Sequence, residues 1–390
     1  MAGLYIHVPF CKRICSYCDF YKSAVLTLIP EYLAAIQKEL DIRREYLQNE
    51  WIESIYLGGG TPSLLSTCQV NQVIDKIGRL HHIAPGCEIT LEANPDDLSE
   101  QYLRAIRETT PVNRISIGIQ SFSNRDLQLL NRRHTSAQAL DSIKQARNTG
   151  FSNISIDLIY GLPGMDTQEW QKNLDLAFSL DIQHLSAYHL SIEPGTALSR
   201  SVAKGLLQIM EEEESARQFV VLNETGKKNG FVHYEISNLA REGYFSRHNS
   251  GYWQQKKYLG IGPAAHSYNI LSRQWNIPHV RKYIQAINTG SEFSESENLN
   301  AVKRYNEYLM VSLRTIRGAD LEVIYHEFGE TAYHDFISAA ESVKSSGHMM
   351  QQGQICKLTR QGWLISDYII SGLMKDEDTR SKIQDPRFKI

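Results

Sequence analysis

No run of apolar residues in this chain is long enough to cross a bilayer, so a membrane-spanning helix is excluded. Basic charge is not in surplus either. With 41 Lys and Arg against 44 Asp and Glu, the formal net charge is -3, which provides neither a field for nucleic acid nor a strongly acidic tail. Cysteine is scarce: six thiols in 390 residues, three of them bunched, do not make the disulfide framework of a secreted protein. The first strand starts almost at the first residue, leaving no room for a signal sequence. Together these absences predict a cytoplasmic protein in a reducing compartment. What remains is an ordinary globular composition, 42% hydrophobic and 22% charged, in a chain long enough for one large domain with an appendage or for two domains.

What the chain does have is a cysteine loop, Cys11 to Cys18 (CKRICSYC), after a short hydrophobic strand that Pro9 stops. Thiolates spaced in this way can wrap an inorganic core of iron and sulfide, and three ligands leave one iron of a cubane open. Zinc is the competing reading. A structural zinc needs four protein ligands, however, and the chain has no second CxxC pair. A disulfide is weaker still in a reducing compartment. Cys68, Cys87 and Cys356 are scattered and read as structural thiols.

Beyond the loop, two hydrophobic periods alternate. Helical spacing marks residues 34–46, 67–80, 99–109, 137–148 and 167–179, while strands are marked at 52–57, 88–91, 114–119, 153–159 and 184–190. The alternation predicts an α/β fold, a parallel sheet with right-handed crossovers forming a barrel or part of one. Such barrels do chemistry at the C-terminal ends of their strands. The unusual residues sit there: the cysteines after strand one, Gly58, Gly59 and Gly60 after two, Glu92 after three and Gln120 after four. Asp157 is a carboxylate inside an otherwise apolar fifth strand. The glycine triplet, followed by Thr61, lets backbone approach a ligand, but no Gly-Lys-Ser/Thr follows, so it is not a P-loop. Arg132, beside Arg133, reads on its own as an ordinary surface residue.

After Leu190 the alternation stops. An acidic run from Glu211 to Glu214 opens a helix reaching about Lys227, and residues 231–268 are aromatic and His-rich without a clear period. Residues 260–266 (GIGPAAH) imitate a nucleotide loop, with Pro263 and the lack of a following helix against it. Residues 291–300 read as a polar linker, 304–313 and 321–328 as helices, and 347–365 as a small unit of winged-helix type. Without a basic stripe, that unit reads as a packing appendage rather than a DNA binder.

CxxxCxxC after a first strand, with Tyr17 before the last cysteine, resembles the radical S-adenosylmethionine (SAM) superfamily. Residues 5–11 (YIHVPFC), 58–63 (GGGTPS), 117–122 (IGIQSF) and 157–163 (DLIYGLP) resemble its oxygen-independent coproporphyrinogen III oxidase group. The resemblance implies that Cys11, Cys15 and Cys18 ligate a 4Fe-4S cluster whose open iron takes the amino and carboxylate groups of SAM. It implies that Tyr5, Gly60, Thr61 and Glu92 hold the methionine part. Gln120, Arg132 and Asp157 would line the rest, with Asp157 at the ribose hydroxyls and Tyr17 among the cofactor contacts. A carboxylate suits a diol and a guanidinium a carboxylate.

Within the group, the oxidase branch carries a fourth cysteine two residues after the third, where this chain has Phe20. Residues 234–238 (YEISN) and 248–253 (HNSGYW), with 305–309 and 313–315, resemble the heme-chaperone branch instead. That implies bound heme, heme-acceptor proteins as partners and no assigned catalytic residue. His248, beside Tyr252 and Trp253, becomes a heme ligand or contact, although a lone His beside Asn ordinarily reads as a hydrogen-bonding residue. His7 and His266 stay in reserve, His7 as a support of the cysteine loop. The alternative is an enzyme that decarboxylates coproporphyrinogen III to protoporphyrinogen. The expected layout is a partial (β/α)6 barrel over residues 1–205, a connecting region over 206–295 and a smaller α+β, winged-helix-like domain over 296–390.

Overall fold

Strand β1 (Ala2–Val8) buries Ala2, Leu4, Ile6 and Val8 completely in the outer core and turns Gly3, Tyr5 and His7 to the opposite face. A computed structural model describes this and all other elements over residues 1–375; the tail of the expected C-terminal domain, 376–390, lies outside the described residues. The same division recurs in β2 (Ile52–Gly59), β3 (Ile83–Ala93), β4 (Arg114–Gln120), β5 (Ile154–Tyr160) and β6 (His184–His189). Each of these strands pairs in parallel with the next. Helices α1 (Ile29–Ile42), α2 (Thr67–Leu80), α3 (Glu100–Thr109), α4 (Asn124–Leu129), α5 (Ser136–Asn148) and α6 (Thr167–Ser179) make the crossovers. Ser66, Thr135 and Asp166 start their helices with complete capping boxes. The first helix begins earlier than its apolar spacing suggests, because Pro30 is accommodated in its opening turn. The architecture is an open (β/α)6 barrel of the α/β class.

The chain then supplies α7 (Ala197–Ala203), α8 (Glu212–Lys228), β7 (Val232–Glu235), β8 (Asn238–Ala240) and α9 (Arg247–Trp253). β9 (Tyr258–Ile261), β10 (His266–Tyr268), β11 (Ser272–Asn276), α10 (Val280–Thr289) and β12 (Ser294–Asn298) follow. β8 joins β6 antiparallel and β9 joins β1 in parallel, so this stretch extends both edges of the barrel into one 12-stranded sheet. The polar stretch expected to be a linker instead contains β12, paired along its length with β11. Its alternating Ser and Glu are half-buried or exposed, so backbone pairing specifies the strand and no hydrophobic period announces it. Gly260 and His266 lie in contact across the β9–β10 turn: a Cβ on Gly260 would fall 2.0 Å from the His266 carbonyl oxygen. The turn is there for close backbone packing.

A buried ion pair fastens these added strands to the barrel. Glu39 of α1 is fully buried and accepts from Gly262 N (2.8 Å), Asn276 Nδ2 (2.7 Å) and the Tyr283 hydroxyl, with Arg43 Nε at 3.3 Å. The rest of the chain forms α11 (Ala301–Ser312), β13 (Ala319–Asp320), α12 (Leu321–Phe328), α13 (Glu330–Ser345), β14 (Met349–Gln352), β15 (Ile355–Leu358), α14 (Arg360–Leu364) and α15 (Ser366–Leu373). Its strands make a separate sheet in the order β13-β15-β14. Among the described residues no helix is long and apolar enough to cross a membrane.

Candidate functional site

The barrel's inner face is polar where its outer face is apolar, and the site is built on that difference. Tyr56 of β2 donates to Glu92 Oε1 at 2.8 Å, and Gly59 N donates to the other oxygen at 3.1 Å. Burial pushes the Glu92 carboxyl up to about 7 against the pull of the Tyr56 hydrogen bond, and the neighbouring Asp157 charge adds to the rise. Asp157 is itself raised to about 6 by burial, opposed by hydrogen bonds from Ser186 and Ser116 and by the charges of Arg114 and Arg132. Gly58 carries no side chain because a Cβ there would meet the Tyr56 ring at 2.7 Å and Glu92 and Tyr5 at 3.0 Å. Two carboxyls, poised near neutrality, thus face one mouth.

At the rim above them, Cys11, Cys15 and Cys18 are half-buried free thiols. Burial pushes Cys11 and Cys18 up, opposed by the Thr61 hydrogen bond at Cys11 and by the Lys22 charge at Cys18. Both also feel the charge of Cys15. Thr61 Oγ1 lies 3.6 Å from Cys11 Sγ, and Arg132 Nη1 lies 3.4 Å from Cys15 Sγ. Arg132 Nη2 donates to Asn94 Oδ1 (2.6 Å) and to Gly118 O (2.7 Å), while its buried Nε has no partner among the described residues. Gly60 brings the two loops together, since a Cβ there would strike the backbone of Val8, Pro9 and Phe10 within 2.8 Å.

Among the described residues no three His, Cys, Asp or Glu side chains converge closely enough for a single metal ion. The three thiols instead stand around one loop, within reach of each other's charge and faced by hydroxyl and guanidinium donors. That donor set fits a thiolate-ligated iron–sulfur core, whose sulfurs accept such hydrogen bonds.

Most of the residues singled out in the sequence meet here. Tyr17 packs against the core within the fields of Arg132, Cys15, Cys18 and Asp157, and burial pushes its phenol up. Gln120 adopts φ +68 at a register shift between β4 and β5, and its amide folds back over Gly118 beside Arg132. Tyr5 donates toward His7 Nδ1 (3.1 Å), and His7 Nε2 lies 3.1 Å from Tyr21 O in the cysteine loop. His7 therefore supports the loop as expected from its position.

His248 lies elsewhere. It sits at the start of α9, whose first amides donate to Glu88 Oε1, and is buried among Gly3, Ser54, Tyr5 and Tyr56. Its Nδ1 contacts Ser54 Oγ at 2.9 Å and its Nε2 the Tyr252 hydroxyl at 2.7 Å. Burial lowers it to about 3. The sequence marks this ring as a heme ligand or contact; in the fold both of its nitrogens are engaged inside the barrel, with Ser54 and Tyr252. His266 stacks on Trp275 at the sheet's far edge.

Sequence reasoning missed Tyr56, Asn94 and Arg114. Arg114 is 2% exposed on β4, with Nη1 3.5 Å from Thr90 Oγ1 and Nε without a partner among the described residues. Its charge acts on Glu92, Asp157 and His248. The available signal was a guanidinium opening an otherwise alternating strand, which reads only as a boundary.

An open barrel with this three-thiol loop defines a radical SAM protein, and the Radical SAM superfamily model matches residues 5–177. The chain is 32% identical over 377 residues to heme chaperone HemW of Bacillus subtilis, spanning 96% of this chain and 99% of that protein. It is 34% identical over 325 residues to heme chaperone HemW of Lactococcus lactis, spanning 83% and 84%. The solved structure of coproporphyrinogen III oxidase (HemN) from Escherichia coli covers 96% of this chain and 90% of that one, with a TM-score of 0.83 at 20% identity, a likeness of fold. The chain belongs to the HemW family of the radical SAM superfamily.

Proposed function

We propose that this chain is a heme chaperone of the cytoplasm, which binds heme and delivers it to acceptor proteins while carrying a 4Fe-4S cluster and SAM. The observation that carries the reading is the likeness to the Bacillus subtilis heme chaperone along 99% of that protein. Cys11, Cys15 and Cys18 would hold the cluster, with Thr61 and Arg132 donating to thiolate sulfur. Tyr5, Gly60, Thr61 and Glu92 would hold the methionine end of SAM, and Tyr17, Gln120, Arg132 and Asp157 the remainder. When bound, the cluster supplies an electron and an open coordination position. A cationic group placed beside Glu92 would draw its carboxyl to the ionised form. The barrel over 1–205 is the cofactor unit in this reading, with 206–295 and 296–390 serving heme and its acceptors.

The test is a titration with ferric heme, followed at the Soret band and then by transfer to an apo-hemoprotein. Absence of a saturable Soret change would end the proposal. The second reading, decarboxylation of coproporphyrinogen, draws on the HemN-like fold. An anaerobic assay with SAM, a reductant and coproporphyrinogen is expected to give no protoporphyrinogen, and turnover would put that reading first. Iron and sulfide analysis separates both from a zinc protein.

A further inference from the structure

We propose that Asn94 is a positioning residue that aims two donors, the Thr61 hydroxyl and the Arg132 guanidinium, at the sulfurs of Cys11 and Cys15. The inference rests on the iron–sulfur reading above and deepens it by naming a group that sets the electron affinity of the core. Asn94 directly follows β3 and precedes the short turn Pro95–Asp97. An Asn at such a start ordinarily caps the turn with its own side chain. Here the side chain makes no capping bond and reaches across the rim instead. Its Oδ1 accepts from Arg132 Nη2 at 2.6 Å, and its Nδ2 donates to Thr61 Oγ1 at 3.0 Å.

The chemistry of the partners fixes which way round the amide sits. A guanidinium has five N–H donors and no acceptor, so only the amide oxygen can face Arg132. The amide nitrogen is thereby left to Thr61. A hydroxyl has one proton to give. With its oxygen accepting from Asn94, the Thr61 hydroxyl turns that proton to Cys11 Sγ, 3.6 Å away. On the other side, Arg132 Nη2 spends its two protons on Asn94 Oδ1 and Gly118 O, and Nη1 is left to face Cys15 Sγ at 3.4 Å.

The amide is itself firmly placed. Asn94 N donates to Ser63 Oγ at 3.3 Å. Asp97, at the end of the turn, accepts from Lys12 Nζ at 2.6 Å and from Arg133 Nη2 at 3.0 Å. One short segment after β3 therefore ties together the cysteine loop, the Thr61 loop and the arginine pair. Hydrogen bonds to the sulfurs help to set the potential of an iron–sulfur core, and here a single amide governs two of them.

The experiment reconstitutes the full chain with iron and sulfide, wild type and Asn94→Leu, and reads the midpoint potential by redox titration with paramagnetic resonance. Leu keeps the branched shape without the polar atoms, and the extended backbone at φ -93, ψ 144 accepts it. At a fixed potential the reduced-to-oxidised ratio is expected to fall about tenfold, a drop of about 59 mV for one electron. Iron content and circular dichroism should match wild type. Thr61→Val should lower the potential of wild type but add almost nothing once Asn94→Leu has released the hydroxyl. Additive shifts, no effect of Thr61→Val in wild type, or an Asn94→Leu potential equal to that of wild type would each overturn the assignment while leaving the cluster reading intact. Should Asn94→Leu take up no iron, Asn94→Asp carries the test. A carboxylate still accepts from Arg132 but offers Thr61 no N–H, so the hydroxyl turns to it and Thr61→Val again loses its effect. An undiminished effect in that background contradicts the proposal. A wild-type chain that takes up no iron and sulfide would remove the cluster reading and this inference together.

Discussion

Arg132 and Cys15, 117 positions apart in the chain, meet with Nη1 3.4 Å from Sγ. The contact gives a fixed positive charge to a sulfur that the proposed cluster would use. Reduction adds negative charge to such a core, so a nearby guanidinium favours the reduced state. A hydrogen bond to a charged group contributes about 1.5–3 kcal/mol. For a one-electron couple that corresponds to roughly 65–130 mV. Arg132→Met in the reconstituted protein is therefore expected to lower the midpoint potential by about that amount, read by redox titration with paramagnetic resonance. A potential unchanged from wild type would show that the guanidinium does not act on the cluster.

His248 is expected to behave as a structural residue. It is 3% exposed, bonded at both nitrogens and stacked on Tyr56 with centroids 5.1 Å apart. His248→Ala leaves Ser54 and Tyr252 facing a cavity, and a loss of about 2–4 kcal/mol in urea unfolding is expected. A loss under about 0.5 kcal/mol, the range of ordinary surface changes, would contradict this placement.

The different fates of His248 and Arg132 show what could be read from residues alone. The six strand–helix units were legible because apolar periodicity and capping residues such as Ser66 and Asp166 are local signals. The mouth was legible because its residues end strands. The environment of a side chain is not local, however. Nothing near His248 in the chain reveals that Ser54 and Tyr56 will enclose it, and nothing beside Arg132 distinguishes it from Arg133, which pairs with Asp96 and Asp97 instead of a cysteine. β12 was illegible for another reason: its Ser and Glu residues carry no apolar stripe, and only the partner strand β11 makes it a strand.

The raised carboxyls and lowered histidines pull stability in opposite directions with pH. Glu92, at about 7 in the folded chain against 4.5 ordinarily, binds its proton more tightly when folded. Its contribution is full below about pH 4.5 and is lost as pH rises through about 7. His7 and His134, lowered to about 4, act in reverse: below pH 6.5 the unfolded chain takes up protons that the folded chain refuses. Whole-chain stability therefore mixes the two effects, and a single substitution separates them. Glu92→Gln, which mimics the protonated carboxyl, is expected to match wild type at pH 4.5 and to exceed it by about 1–3 kcal/mol at pH 8. A difference independent of pH would mean that Glu92 is ionised throughout.

Glu39 holds the added strands by accepting bonds from three separate elements, and its loss should be felt far from α1. Arg43, its partner, is 7% exposed and also donates to Asn276 Oδ1 at 2.9 Å and Ser267 Oγ at 3.3 Å. Burial raises the Glu39 pKa, opposed by Arg43 and by the bonds from Tyr283, Gly262 and Asn276. Removing the carboxylate leaves a buried guanidinium short of its counter-charge, which costs about 3–5 kcal/mol. Glu39→Ala is expected to lose that much, whereas Glu39→Gln keeps an acceptor for Gly262 N and should lose less. Hydrogen exchange can locate the damage. Because Gly262 and Asn276 follow β9 and close β11, amides of β9 to β12 should exchange faster in Glu39→Ala while those of β3 to β5 keep wild-type protection. Uniform acceleration across the sheet would mean that Glu39 supports the barrel as a whole and is no fastening for its edge.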